Sequence, residues 1–243
     1  MSQWVFDLGN SRLKCAPLGA DGRSGEVHAL AHDGGTWREA LDALLPAHIE
    51  GAWVASVAAP GLTRTLADAL ASRAGRVDFV STQPACCGVR IAYAQPQRLG
   101  VDRFLAMIGA RAASGGPALL CGVGTALTID LMDADGLHLG GRIAPSPTLM
   151  REALTARVAH LPAIGGTYRD FADDTPDALA SGCEGAASAL VRDSLALAQE
   201  QLGEVPTLYL HGGGAPALLP RLPQARHAPD LVLAGLAAWA AQA

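Results

Sequence analysis

Aromatic residues make up only 5% of the 243 residues, although half of the chain is hydrophobic. Alanine carries much of that share, and 28 glycines accompany it. The expected core is therefore one of small side chains, with helices packed closely on sheets. No block of basic residues is present: 18 Lys and Arg against 23 Asp and Glu leave a formal charge of −5. Nucleic-acid binding, which needs a positive face against phosphate, is disfavoured. No apolar run is long and unbroken enough to span a bilayer. Met1-Ser2-Gln3-Trp4 lacks the basic and apolar regions of a signal peptide. A cytoplasmic protein without a membrane partner is the expectation. Cysteine is sparse: Cys15, Cys86, Cys87, Cys121 and Cys183 form an odd set with no Cys-x-x-Cys spacing. That argues against structural zinc and a disulfide framework, and for reduced thiols.

What is present is a series of apolar runs punctuated by glycine and proline. Their periodicity predicts strands near residues 3–8, 12–18, 24–30, 51–57, 77–81, 117–122, 125–132, 136–143 and 205–211. Helices are predicted near 36–46, 60–71, 100–113, 147–160, 175–202 and 229–240, the fifth with a break open at Gly182 or Gly185. The order of the first half recurs in part after Ser114-Gly115-Gly116-Pro117, whose Gly and Pro punctuate a helix–strand junction. The expected organisation is an N-terminal half over 1–114 and a C-terminal half over 115–243, in a duplicated α/β fold.

Each half opens on a glycine-rich turn between strands. In the first, Asp7 closes an apolar run and Gly9, Asn10, Ser11 and Lys14 follow. Gly9 can take a positive φ or let a ligand approach the backbone, and the N–H groups of such a turn can cradle an anion. Asp7 can hold hydrated Mg²⁺ beside it, and Lys14 offers phosphate a point charge. The second turn, Gly122-Val123-Gly124-Thr125-Ala126-Leu127-Thr128-Ile129-Asp130, repeats the plan with hydroxyls after Gly124. Either segment alone also reads as an ordinary hairpin. Gly100-Val101-Asp102-Arg103 opens a helix, where Asp102 is the candidate base and Arg103 a candidate anion-binding group. They read equally as an N-cap and a surface charge. Thr175, between Asp174 and Pro176, reads as a helix N-cap. His211-Gly212-Gly213-Gly214 is a third glycine segment or a plain loop.

Taken in order, Asp7-x-Gly9-Asn10-Ser11, Tyr93…Pro96…Gly100-x-Asp102-Arg103, Gly124-Thr125-Ala126-x-Thr128-x-Asp130, Gly140-Gly141-x-Ile143-x-Pro145 and Thr175…Ser181-Gly182 make nearly the whole chain resemble the type III pantothenate kinases, a family that includes the Bvg-accessory-factor-like proteins. The resemblance implies an actin–hexokinase–Hsp70-like α/β fold: two related ribonuclease-H-like halves with a nucleotide cleft between them. It implies ATP-dependent phosphorylation of pantothenate to 4′-phosphopantothenate, the first step of coenzyme A biosynthesis. Asp102 is then the catalytic aspartate. ATP and its phosphates fall to Asp7, Gly9, Asn10, Ser11, Lys14, Gly124 and Thr125. Pantothenate falls to Tyr93, Gly100, Asp102, Arg103 and Thr175, the last reaching across a homodimer. Tyr93 otherwise reads as a core tyrosine at a strand end. Mg²⁺ accompanies ATP at Asp7, and a monovalent cation, K⁺ or NH₄⁺, is implied without assignable ligands. The chain departs from the family pattern at Gly122, where many members carry Asp; Asp130 compensates only if it faces the site. Two other readings stay open: another small-molecule kinase of the superfamily, such as a sugar kinase, or a non-catalytic nucleotide-binding regulator.

Overall fold

The computed structural model describes residues 2–32 and 35–242. Strand alternation organises the first sheet. In β1 (Gln3–Leu8), Trp4, Phe6 and Leu8 join one apolar cluster, so Val5 and Asp7 face the other way. β1 pairs antiparallel with β2 (Arg12–Leu18), which pairs with β3 (His28–Ala31). Helix α1 (Trp37–Leu44) leads to β4 (Gly51–Ser56), which pairs parallel with β1. Helix α2 (Pro60–Ala71), begun by a proline at its first turn, leads to β5 (Val77–Phe79) beside β4. Trp37 and Leu41 of α1 and Leu66 and Leu70 of α2 close the Trp4–Phe6–Leu8 face. A hairpin follows, β6 (Ala85–Cys86) and β7 (Val89–Arg90), then a 3₁₀ turn over Pro96–Arg98 and helix α3 (Val101–Ser114).

The second sheet repeats the first. β8 (Ala118–Val123), β9 (Ala126–Met132) and β10 (His138–Pro145) form an antiparallel run. Helices α4 (Pro147–Thr155) and α5 (Thr175–Leu202) follow, then β11 (Thr207–His211) parallel to β8. Short α6 (Ala215–Leu218) and a 3₁₀ turn precede β12 (Arg226–His227), parallel to β11, and α7 (Leu231–Ala240) comes last. The strand orders, β3-β2-β1-β4-β5 and β10-β9-β8-β11-β12, match position for position. This is the duplication that the sequence implies.

The chain forms two compact units. The first runs to Gly115 and also takes in Asp135–Leu137 and the chain from Asp230 on; the second holds Gly116–Ala134 and His138–Pro229. So α7, which the sequence reading places in the C-terminal half, groups with the first unit. Glycine explains the packing. A Cβ on Gly235 of α7 would overlap Leu105 O of α3, and one on Gly109 would overlap Leu231 O. The two helices thus cross with backbones in contact, which only glycine permits.

Other expectations shift. The strand foreseen over 24–30 shrinks to β3 and one bridge, Ser24 to Leu18. Pro17 has no N–H for a ladder there, and Gly25 N–H donates instead to Pro17 O at 2.7 Å. Helix α4 stops at Thr155 rather than 160; Met150 packs against the second core, but 156–160 contribute no buried residue that would hold further turns. Helix α5 is unbroken through Gly182 and Gly185, because Ala187, Val191 and Ala198 anchor it on the second sheet. That burial outweighs the ~1 kcal/mol that each helical glycine costs. The β6–β7 hairpin, β12 and the short helices escape periodicity because they are shorter than one period of either pattern.

Candidate functional site

The first unit gathers most of the expected residues. Asp7 and Lys14 are direct partners across β1–β2, on the face opposite the Phe6–Leu8 cluster. The turn between them closes with Gly9 N–H donating to Arg12 O at 3.0 Å. Gly9 does not take the positive φ that its composition allows. Asn10 and Ser11 are exposed at the tip. His32, which the sequence did not single out, lies with Nε2 3.0 Å from Gly9 O.

Helix α3 begins beside this face. Gly100 is its N-cap, and a Cβ there would lie 2.6 Å from Asp102 Oδ1. The glycine therefore leaves room for the carboxylate to fold back, and Asp102 Oδ1 accepts from Arg103 N–H at 2.9 Å. Asp102 is not the cap, and Arg103 is not a surface charge: it is buried, 6% exposed. Its guanidinium lies 5.9 Å from the Tyr93 ring and donates to Tyr93 Oη at 3.4 Å. Tyr93 is half-buried on the segment before α3, which Thr82 secures by donating to Leu99 O at 2.8 Å.

Asp7 and Asp102 form a like-charge pair. Burial, first, and the charge of Asp102, second, push the Asp7 carboxyl from 3.8 up to about 7, with Lys14 opposing. Two carboxylates and an exposed turn of N–H groups suit a divalent cation and an anion side by side. The same shift has a thermodynamic consequence. The folded Asp7 holds its proton more tightly than the unfolded chain does, so its stabilisation is complete below about pH 4 and is lost as pH rises through about 7. Asp7→Asn removes this loss. The melting temperature of the variant minus that of the wild type is expected to grow between roughly pH 4 and 7 and to level off above. A calorimetric series in which the difference shrinks would contradict the assignment.

The second unit holds the other hairpin. Gly124 and Thr125 are exposed, and Gly124 N–H donates to Ala126 O at 2.9 Å, again without positive φ. The space of a side chain at Gly122 is already filled: a Cβ would meet Thr128 Oγ1 at 2.8 Å and the His211 ring at 3.0 Å. Asp130 is buried and paired to buried His138 Nε2 at 3.0 Å, so it does not replace the missing carboxylate. The glycines after His211 are held by close backbone approach, because Gly212 has φ +89° with Val123 beside it and Gly214 N–H donates to Val123 O at 2.9 Å.

At the start of α5 the cap is Asp174, whose carboxylate accepts from Asp177 N–H at 2.8 Å. Thr175, expected as the cap, is the exposed first helical residue. A carboxylate suits the positive helix end better than a hydroxyl. Asp177 accepts from Thr167 N–H at 2.7 Å and Arg169 Nε at 2.8 Å, which lower its pKa in that order. Thr175 borders an open depression of about 410 Å³ lined also by Leu161, Ala172, Asp174 and Leu179.

A family model for type III pantothenate kinase matches residues 4–196. The chain belongs to the type III pantothenate kinase family. A relative from Stenotrophomonas maltophilia (strain K279a), named type III pantothenate kinase, is 57% identical over 240 residues, 99% of this chain and 98% of its own. Among solved structures, a Campylobacter jejuni protein described as a Baf-family transcriptional activator aligns with TM-score 0.61 at 21% identity, over 96% of this chain and 94% of its own. A Sinorhizobium meliloti protein described as a 2-dehydro-3-deoxygalactonokinase aligns with TM-score 0.57 at 18% identity, over 99% and 98%. At such identities the likeness concerns the fold, which is actin–hexokinase–Hsp70-like. For a type III pantothenate kinase, the first unit brings Asp7, Gly9, Asn10, Ser11, Lys14, Tyr93, Gly100, Asp102 and Arg103 together, while Gly124, Thr125 and Thr175 lie in the second. The sequence missed His32, whose contact with the Gly9 carbonyl leaves no spacing signature; it placed Asp174 and Asp177 at the start of α5 but took Thr175 for the cap.

Proposed function

We propose that this chain transfers the γ-phosphoryl group of ATP to the primary hydroxyl of pantothenate. The carrying observation is the Asp7–Asp102 pair at the open end of β1, beside buried Arg103 and Tyr93. Asp102 accepts the hydroxyl proton and orients the nucleophile; Arg103 and Tyr93 receive the polar and apolar parts of the acceptor. Gly100 gives Asp102 its room. In the first unit the Gly9–Asn10–Ser11 turn receives phosphate oxygens, with Lys14 as a further charge; in the second unit the Gly124–Thr125 turn offers N–H groups and a hydroxyl of the same kind. The donor set at Asp7 fits Mg²⁺, since a carboxylate pushed up to about 7 beside a second one is relieved by a hard cation. Bound there, Mg²⁺ would neutralise charge on the triphosphate. The second hairpin offers no carboxylate to a potassium or ammonium ion: position 122 is glycine and Asp130 is held by His138.

A coupled ADP-release assay with pantothenate, against a panel of sugars, tests the reading. Turnover with a sugar alone would move the chain to another acceptor class. Nucleotide binding without ADP release would make it a regulator.

The acceptor pocket is completed by a second copy, with Thr175 reaching across. Gly182, Ala186 and Ala189 lie exposed along α5, a small-residue track that allows close helix approach. Phe171 is 98% exposed and Ile164 86% exposed in the segment before α5, apolar surface that a partner would bury. Mixing inactive Asp102→Asn with inactive Thr175→Arg is then expected to restore activity, because one shared site per heterodimer is intact. Light scattering should show a dimer. Exchange of subunits with no recovery would remove Thr175 from a shared pocket. Among the described residues no helix is long and apolar enough to cross a membrane, and a net charge of −5 does not favour nucleic acid. A cytoplasmic enzyme acting on small molecules agrees with both.

A further inference from the structure

The β6–β7 hairpin turns on Cys87 and Gly88, with φ of +51° and +74°. Two successive left-handed residues characterise the tight turn of a two-residue hairpin. Glycine adopts this freely, whereas cysteine is not among the residues enriched there. Among the described residues, Cys87 alone has positive φ without being glycine. Successive residues of a regular strand point to opposite faces. The left-handed turn instead brings Cys86 Sγ and Cys87 Sγ to 3.3 Å. Cys87 Sγ also donates to Ala238 O of α7 at 3.8 Å. Both cysteines keep part of their surface exposed, while Cys15, Cys121 and Cys183 are buried. Neither belongs to the phosphotransfer residues.

We propose that Cys86 and Cys87 form a chelating dithiol site for a pyramidal, trivalent thiophilic centre, the chemistry of an organic arsenoxide. Geometry selects this class. A direct disulfide asks for Cα atoms about 4.4–6.8 Å apart, but adjacent residues across a trans peptide are held at about 3.8 Å. Direct closure would be strained and readily reversed. A single atom bonded at about 2.3 Å to each sulfur, the usual length from thiolate to a soft metal, would subtend about 90° across the 3.3 Å gap. That angle suits a pyramidal trivalent centre. Tetrahedral zinc wants a wider angle and further ligands, and no group of three or more His, Cys, Asp or Glu that could hold a metal occurs among the described residues. A linear two-coordinate ion needs sulfurs on opposite sides.

The reaction is a condensation. Each sulfur forms a bond to arsenic, the arsenic–oxygen bond breaks, and the two thiol protons leave with the oxygen as water. Arsenic stays trivalent, and no oxidant is needed. Burial, aided by hydrogen bonding to Cys86 and its charge, raises the Cys87 thiol to about 12. It therefore remains S–H at neutral pH, which slows oxidation through the thiolate and keeps the protons that leave with the oxygen as water.

The test is titration of reduced full-length protein with phenylarsine oxide, read by native mass spectrometry and peptide mapping. One equivalent should bind, on the tryptic peptide 77–90, which holds both cysteines and no other. An excess of dimercaptopropanol should release it, and an equal excess of monothiol should not. Cys86→Ser and Cys87→Ser should each weaken binding by about 100-fold, because the second sulfur acts at high effective concentration. Cys87→Asn, which tolerates the left-handed turn, should show the same loss with an unchanged melt. Uptake that persists in Cys86→Ser, or that maps to Cys15, Cys121 or Cys183, overturns the proposal. So does reduced protein that takes up no arsenical.

Discussion

Asp102→Asn is expected to lower turnover with pantothenate by roughly two to four orders of magnitude, the usual contribution of a positioned acid or base. Asparagine keeps an oxygen that can accept from Arg103 N–H, so the first turn of α3 should survive. What it removes is the proton acceptor and a negative charge. ATP affinity should change little, because Asp102 serves the acceptor side. Loss of that charge also withdraws one of the two influences that raise Asp7, so the Asp7 pKa should fall from about 7. A carboxyl-resolved NMR titration reads this shift independently of activity. Near-normal turnover in a folded variant would take Asp102 out of the chemistry. Lost turnover with an unmoved Asp7 would separate its catalytic role from the pairing with Asp7.

Gly235→Ala should destabilise the protein by about 3 kcal/mol, since overpacking a tight contact costs 1–3 kcal/mol and sometimes more. Its Cβ would overlap Leu105 O, a backbone atom that cannot move aside as a flexible side chain can. Gly109→Ala meets Leu231 O in the same way. Gly61→Ala, in the exposed first turn of α2 and away from the α5 track, is the control: nothing lies within 4 Å of its Cβ position. There alanine should raise stability by about 0.4–1 kcal/mol, because it restricts the unfolded chain. Urea unfolding of the three variants decides the matter. Equal effects of Gly235→Ala and Gly61→Ala would mean that α3 and α7 do not meet through their glycines.

Much of the fold was legible because it repeats and because its elements are long. Two glycine turns at half-chain spacing and alternating strands predicted the duplicated sheets, and β1, β2, β4, β8, β9, α2, α3 and α5 lie within a residue or two of their expected ranges. Errors gathered where structure depends on partners distant in sequence. Pro17 shortened β3, absent burial shortened α4, and apolar anchoring carried α5 through its glycines.

The sequence by itself determined the family and the residues available for chemistry. It also named Asp7 and Lys14 on either side of one short turn; their direct pairing across β1–β2 came with the strand register. Only the tertiary structure decided what those residues experience. Arg103 became a buried group against Tyr93 instead of a surface charge. Asp7 became a carboxyl pushed up to about 7, first by burial and then by the charge of Asp102, which α3 brings up to it across almost a hundred residues of chain. Asp130 was given to His138, and the space above Gly122 to Thr128 and His211. Burial, like-charge proximity and the filling of space are properties of non-local contacts, and local spacing carries no record of them.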